Sequence, residues 1–288
     1  MNAIEVKETN NSHVTAETQK IEANGVHFAY RSWGTETDVP TLFFQHFTGT
    51  MDNWDPAITD GIAKTRQVIL FNNAGVSSSD GKTPDTAFEM ADDALSFIDA
   101  LGLKKLDLLG FSLGGFVAQL VAIKRPELVR KLILVGTGGQ GSVGLDNLPI
   151  TFSTAMEKDP LERMLYMFYT GSEFSKNRGI ASVKRLQERT VGRDTDTSMD
   201  TIKAQLKAIV GWGAVQNPEY SDLTKVTQPA LIINGKDDII IPTINSYTLY
   251  RLLPNARLSL YPDSAHGALF QYPDLFVDEV TDFLKEFN

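Results

Sequence analysis

Three residue types suited to nucleophilic acyl chemistry stand far apart in the chain, each beside a strand-like run. Ser112 lies in Gly110-Phe111-Ser112-Leu113-Gly114-Gly115. A short apolar run (Leu106, Leu108, Leu109) precedes it, and a second, Phe116 to Ile123, follows at once. The first reads as a buried strand and the second as a helix buried nearly all round. G-x-S-x-G at such a strand–turn–helix junction is the pattern of a nucleophile elbow. A serine projecting from so sharp a turn takes a strained backbone conformation. Gly110 and Gly114 lack the Cβ atoms that would crowd each other around it. Gly115 lets the helix pass close to a neighbouring strand. The helix N-terminus favours negative charge, and the N–H of Leu113 is placed to serve an oxyanion.

A serine hydroxyl needs a base to take its proton, and the base needs a third group to hold it. Of the four histidines, His13 falls in a polar tail, His27 inside a hairpin strand and His46 after an early strand. His266 stands between the final strand and the final helix, in Tyr261-Pro262-Asp263-Ser264-Ala265-His266-Gly267. Open parallel sheets gather their sites at the carboxyl ends of strands, so His266 is the expected general base. The acid precedes it in the chain order Ser, Asp, His. Asp237 and Asp238 follow the strand Pro229–Asn234. One orients His266 and the other is a solvated or capping residue; Asp238 is the preferred acid.

The elements around these residues form a rhythm. Lys20–Glu22 and Val26–Trp33 flank Asn24-Gly25, a strong hairpin signal. Thr41–Gln45, Gln67–Phe71, the elbow strand and Lys131–Val135 are solidly apolar, and helical segments separate them. That pattern predicts an α/β fold with a mostly parallel sheet covered on both faces. From Gly136 to about Asn217 no strand is evident; three helical pieces are expected, near 154–169, 175–190 and 199–212. They read as an all-helical cap inserted after the sixth strand. The expected division is a flexible tail over 1–18, a core over 19–136 and 218–288, and a cap over 137–217. The cap aromatics, Phe168 and Trp212 among them, are mainly packing residues, a few of them expected to line a pocket.

At 288 residues with 42% hydrophobic content the chain can bury a substantial core. A net charge of −9 argues against nucleic acid or an anionic membrane as partner. The absence of cysteine excludes disulfides, thiol catalysis and cysteine-ligated metal. There is no apolar signal core at the start and no run long enough to span a bilayer, so a soluble cytoplasmic protein is expected.

Taken together, FFQHFTGTMDNWDP, FNNAGVSSSDG, GFSLGGF, NGKDDIIIP and PDSAHG resemble the α/β-hydrolase family over nearly all of the chain from about Lys20. The resemblance implies an eight-stranded sheet with a helical cap and the triad Ser112, Asp238 and His266, without metal or other cofactor. In the family pattern G-x-x-D-x-x-x-P the acid maps to Asp238, ahead of Pro242. Family members commonly read His-Gly-x in the loop that supplies the second oxyanion donor; here His46-Phe47-Thr48-Gly49 lacks that glycine. The donor role is carried to Phe47, with Thr48 as the next candidate, and His46 matches a bracing histidine. Trp54, Phe168 and Trp212 are the expected substrate-binding aromatics. Asn72-Asn73 and Ser77 depart from a frequent Asp-Arg pair and a frequent glycine, which bears on loop geometry and the pocket wall. The implied activity is hydrolysis of an ester, lactone or similar acyl bond of a small, fairly apolar substrate. Alternatives on the same triad are carbon–carbon bond hydrolysis, perhydrolysis, or a small-molecule receptor without turnover.

Overall fold

The computed structural model describes residues 11–215 and 222–286. Eight strands form one sheet in the order β1-β2-β4-β3-β5-β6-β7-β8. They are β1 (Gln19–Ala23), β2 (Val26–Gly34), β3 (Thr41–Phe44), β4 (Gln67–Phe71), β5 (Leu106–Phe111), β6 (Val129–Val135), β7 (Ala230–Gly235) and β8 (Ala256–Tyr261). β3 to β8 run parallel, while β1 and β2 add an antiparallel edge. Asn24 and Gly25 both take positive φ (51° and 77°), as a tight hairpin turn between right-twisted strands requires. Every residue of β3, β5 and β7 is buried, because helices cover both faces. The helices of this core are α1 (Pro56–Ala63), α2 (Ala87–Ala100), α3 (Leu113–Lys124), and, after β7, α8 to α10 (Ile244–Leu252, Ala268–Gln271 and Pro273–Lys285).

The topology places the site. From β3 the chain crosses one way to β4 and the next strand, β5, returns to the other side of β3. The loops after β3 and β5 therefore leave the sheet side by side at a switch point, where ligands of open α/β sheets bind. Phe44 at the end of β3 pairs with Gly110.

Among the described residues four α-helices lie between β6 and β7: α4 (Leu148–Met156), α5 (Pro160–Phe168), α6 (Glu173–Leu186) and α7 (Met199–Gly213). Where one helix was expected over 154–169 the chain breaks, because Asp159 caps α5 by accepting the Glu162 N–H at 2.9 Å and Pro160 opens it. The expected boundary at 217/218 lies outside the described residues.

The expectation of a flexible tail needs correction over residues 11–18; residues 1–10 lie outside the described ones. His13 is buried at 2% exposure. Its N–H donates to Asp60 Oδ1 (2.7 Å), its Nδ1 meets Thr59 Oγ1 (3.0 Å), and its ring stands edge-on to Trp33. Arg189 in turn holds the carbonyls of His13 and Val14 (3.1 and 2.9 Å).

Candidate active site

The elbow is built by the clearances its glycines provide. Ser112 has φ 57° and ψ −120° between β5 and α3. A Cβ on Gly110 would lie 2.5 Å from the Gly114 carbonyl oxygen, and one on Gly114 2.2 Å from that of Phe44. Both obstacles are backbone, so neither position admits a side chain. The turn is fixed from outside by the Ser112 N–H to Val135 O (2.9 Å) and by Thr137 Oγ1 donating to Ser112 O (2.8 Å). Leu113 opens α3, so its N–H has no partner within the helix.

His266 Nδ1 lies 2.8 Å from Asp238 Oδ2. The other carboxylate oxygen accepts the N–H groups of Ile240 (2.8 Å) and Ile241 (3.0 Å). Asp238 is buried and Asp237 exposed, so of the adjacent pair Asp238 is the one that reaches the imidazole. With Nδ1 turned to the carboxylate, Nε2 is the nitrogen left to accept a proton. The imidazole packs on Phe111, the residue before Ser112, with ring centroids 4.9 Å apart. Gly136 gives them room: a Cβ there would sit 3.0 Å from the Phe111 ring and 3.3 Å from the imidazole. Ser112 and His266 line one cavity. No hydrogen bond joins their side chains in this structure; such contacts often tighten only when substrate is bound.

The loop after β3 supplies the opposite wall. The Gly49 N–H closes a turn on His46 O at 3.0 Å. His46 Nδ1 lies 2.8 Å from Phe47 O, and its ring sits edge-on to Phe111 and Phe168. Burial pushes its pKa down to about 4 against the pull of that backbone contact, so it is neutral and braces the loop. The Thr48 N–H is engaged by Gln205 Oε1 at 2.7 Å. The Phe47 N–H has no partner among the described residues, which leaves it, with that of Leu113, available to an oxyanion.

The cavity measures about 550 Å³ and is mostly apolar, walled by Phe116, Leu148, Phe152, Met164, Met167 and Phe168 among others, with Arg163 and Asp196 as charged groups. Of the three expected substrate-binding aromatics, only Phe168 lines it. Trp54 is fully buried, edge-on to Phe43 at 5.0 Å and tilted against Phe111. Trp212 stacks on Phe116 at 4.9 Å and donates Nε1–H to Gly138 O. Both belong to the packing outside the cavity lining. Asn72 and Ser77, expected to shape the pocket wall, do not line it either. Asn72, Ser77 and Ser78 all donate to Asp194 Oδ1 (2.9, 3.0 and 3.0 Å), tying the segment before α7 to the sheet.

Other ties join the four helices to the core. Arg185 grips the buried Asp55 with two hydrogen bonds (2.7 and 2.6 Å), and Thr170 and Ser172 donate to Asp263 (2.7 and 2.6 Å). Among the described residues no group of three or more His, Cys, Asp or Glu is placed to hold a metal ion, and no helix is long and apolar enough to cross a membrane.

Comparison with known proteins agrees with this architecture. A solved structure of an alpha/beta hydrolase fold protein from Chitinophaga pinensis superposes with a TM-score of 0.93 at 48% identity, covering 96% of this chain and 100% of that one. The chain is 29% identical over 248 residues to 2-hydroxymuconate semialdehyde hydrolase of Pseudomonas putida, covering 78% of this chain and 79% of that protein. It is 23% identical over 258 residues to a putative carbamate hydrolase, RutD, of Agrobacterium fabrum, covering 87% and 95%. The family described as alpha/beta hydrolase fold matches residues 40–273. The chain therefore belongs to the α/β-hydrolase fold family.

Proposed function

We propose that the protein is a serine hydrolase that cleaves an ester, lactone or similar acyl bond of a small, fairly apolar substrate. The observation that carries this reading is the 2.8 Å contact of His266 Nδ1 with Asp238, made by an imidazole that lines the same cavity as Ser112. In this mechanism Ser112 Oγ attacks the carbonyl carbon while His266 Nε2 takes its proton. The carbonyl oxygen becomes an oxyanion between the Phe47 and Leu113 N–H groups. His266 then returns the proton to the leaving alcohol as the carbon–oxygen bond breaks. Water, deprotonated by His266, attacks the acyl-Ser112 ester, and collapse of that adduct frees the acid and restores the serine. Asp238 stays ionised and stabilises the imidazolium. The helices α4 to α7 serve as a lid whose apolar side chains exclude water from the acyl-enzyme.

A second reading is carbon–carbon bond hydrolysis on the same triad, favoured by the likeness to a 2-hydroxymuconate semialdehyde hydrolase. The two separate in one assay: esters, lactones and dienone acids given to wild type and Ser112→Ala. Steady ester or lactone turnover lost in Ser112→Ala supports the first reading, and turnover of the dienone acids alone the second. A stall after one equivalent would point instead to a receptor built on the hydrolase scaffold. Near-wild-type activity in Ser112→Ala would overturn both hydrolytic readings.

A further inference from the structure

The turn His46–Gly49 has a conformation its sequence does not favour. Thr48 occupies its third position with φ 62°. That position normally falls to glycine or asparagine, because a β-branched residue is strained in the left-handed region. The turn's own hydrogen bond, Gly49 N–H to His46 O, does not engage the main-chain polar groups of Thr48. Two side chains from outside do. Gln205 Oε1, on α7, accepts the Thr48 N–H at 2.7 Å, and Thr197 Oγ1, just before α7, donates to the Thr48 carbonyl at 2.7 Å. Both main-chain polar groups of the strained residue are thus held by the segment that overlies the site, about 150 residues away in sequence. Gln205 is fully buried and lies outside the cavity lining, so it acts on the loop and not on substrate.

We infer that Gln205 and Thr197 are positioning residues for the oxyanion site: they hold Thr48 in its left-handed conformation and thereby aim the Phe47 N–H at the developing oxyanion. This rests on the acyl-transfer reading above for its catalytic consequence, though not for its structural one. It gives the lid a second task. Lifting α7 would release Thr48, so the donor pair is complete only when the lid is seated.

The test uses the full chain with Gln205→Met, Thr197→Val and the conservative Thr197→Ser, which keeps the hydroxyl. Loss of one oxyanion donor costs about 10²- to 10³-fold in turnover, so misaiming one is expected to cost on the order of tenfold in kcat. In Gln205→Met KM stays within about twofold, because that side chain lies outside the cavity lining, whereas Thr197 lines the cavity and its loss also reaches KM. Inhibition by an alkylboronic acid, whose serine adduct carries the tetrahedral charge, weakens in step with kcat. Thr197→Ser behaves as wild type. Amide hydrogen exchange in a peptide spanning 46–50 accelerates in Gln205→Met and Thr197→Val but not in Thr197→Ser. A rise in KM alone in Gln205→Met, or an unchanged kcat in both variants, overturns the catalytic role. Unchanged exchange at 46–50 in both overturns the inference outright, even if no ester proves to be a substrate. Failure of wild type to turn over esters while exchange responds as expected would instead count against the acyl-transfer reading.

Discussion

The N–H of Gly267, one residue past His266, donates to the carbonyl of Phe168 at 2.7 Å. Phe168 ends α5, and its ring also lies against His266, Phe111 and Phe270. The imidazole loop and the overlying helices are thus joined through backbone, at the residue next to the proposed base. A side chain is excluded there, since a Cβ on Gly267 would sit 2.8 Å from Phe168 O and 2.9 Å from Phe168 Cβ.

Gly267→Ala is therefore expected to push α5 and the His266 loop apart. The overpacking costs about 1–3 kcal/mol, and kcat falls with it because the imidazole moves. Urea unfolding and steady-state kinetics on the purified variant measure both effects. A variant with wild-type stability and kcat would mean that the end of α5 shifts freely.

Arg31 and Asp52 form an ion pair buried on both sides. Arg31 also donates to Thr18 Oγ1 (2.9 Å) and Gly192 O (3.1 Å), while Asp52 accepts the Asp194 N–H (2.6 Å). Burial pushes the Asp52 carboxyl up, but the Arg31 guanidinium and the Asp194 N–H outweigh it and hold it below the usual range. Removing Arg31 leaves the buried Asp52, among the described residues, with only the more distant Arg189 (Nε to Oδ1, 3.7 Å) as an ion-pair partner. Arg31→Met should cost about 3–5 kcal/mol, read as a fall in the urea midpoint. A variant as stable as wild type would show that the pair does not hold these segments together.

Buried histidines set a pH dependence of stability. Burial lowers the pKa of His13 from 6.5 to about 4. Between those values the unfolded chain binds a proton that the folded chain refuses. Stability from this group is therefore complete above pH 6.5 and lost as pH falls toward 4. From pH 7 to pH 5 the loss is about 2 kcal/mol. The difference in unfolding free energy between wild type and His13→Gln isolates it, since the other titrations, including Asp93 raised to about 6 by burial and its acidic neighbours, are common to both chains. That difference should move by this amount toward the variant at pH 5; a constant difference would show His13 to be solvated.

Local signals were enough to read the elbow, the hairpin and the parallel strands. Gly110 is required by the backbone of Gly114 and Gly115, and Asn24-Gly25 by one turn, so each is written in a few adjacent residues; Gly114 is legible from the same motif although its obstacle is the distant Phe44 carbonyl. Asp159-Pro160 is a helix stop legible in the sequence, inside the stretch 154–169 read as one helix. Residues fixed by distant partners could not be read. The burial of His13 depends on Thr59 and Asp60, and the core position of Trp54 on Phe43 and Phe111. Gln205 gave no signal at all: a lone glutamine near Ile202, Leu206 and Ile209 looks like any boundary residue of an amphipathic helix. Its partner, Thr48, stands 157 residues earlier.

The central claim is a covalent bond between substrate carbonyl and residue 112. Intact-mass spectrometry of protein quenched during turnover of a short p-nitrophenyl ester tests it directly. The account predicts an added acyl mass on wild type, mapped to the peptide holding Ser112 and absent from Ser112→Ala. An adduct that persists in Ser112→Ala, or one mapped to another residue while turnover proceeds, would contradict it.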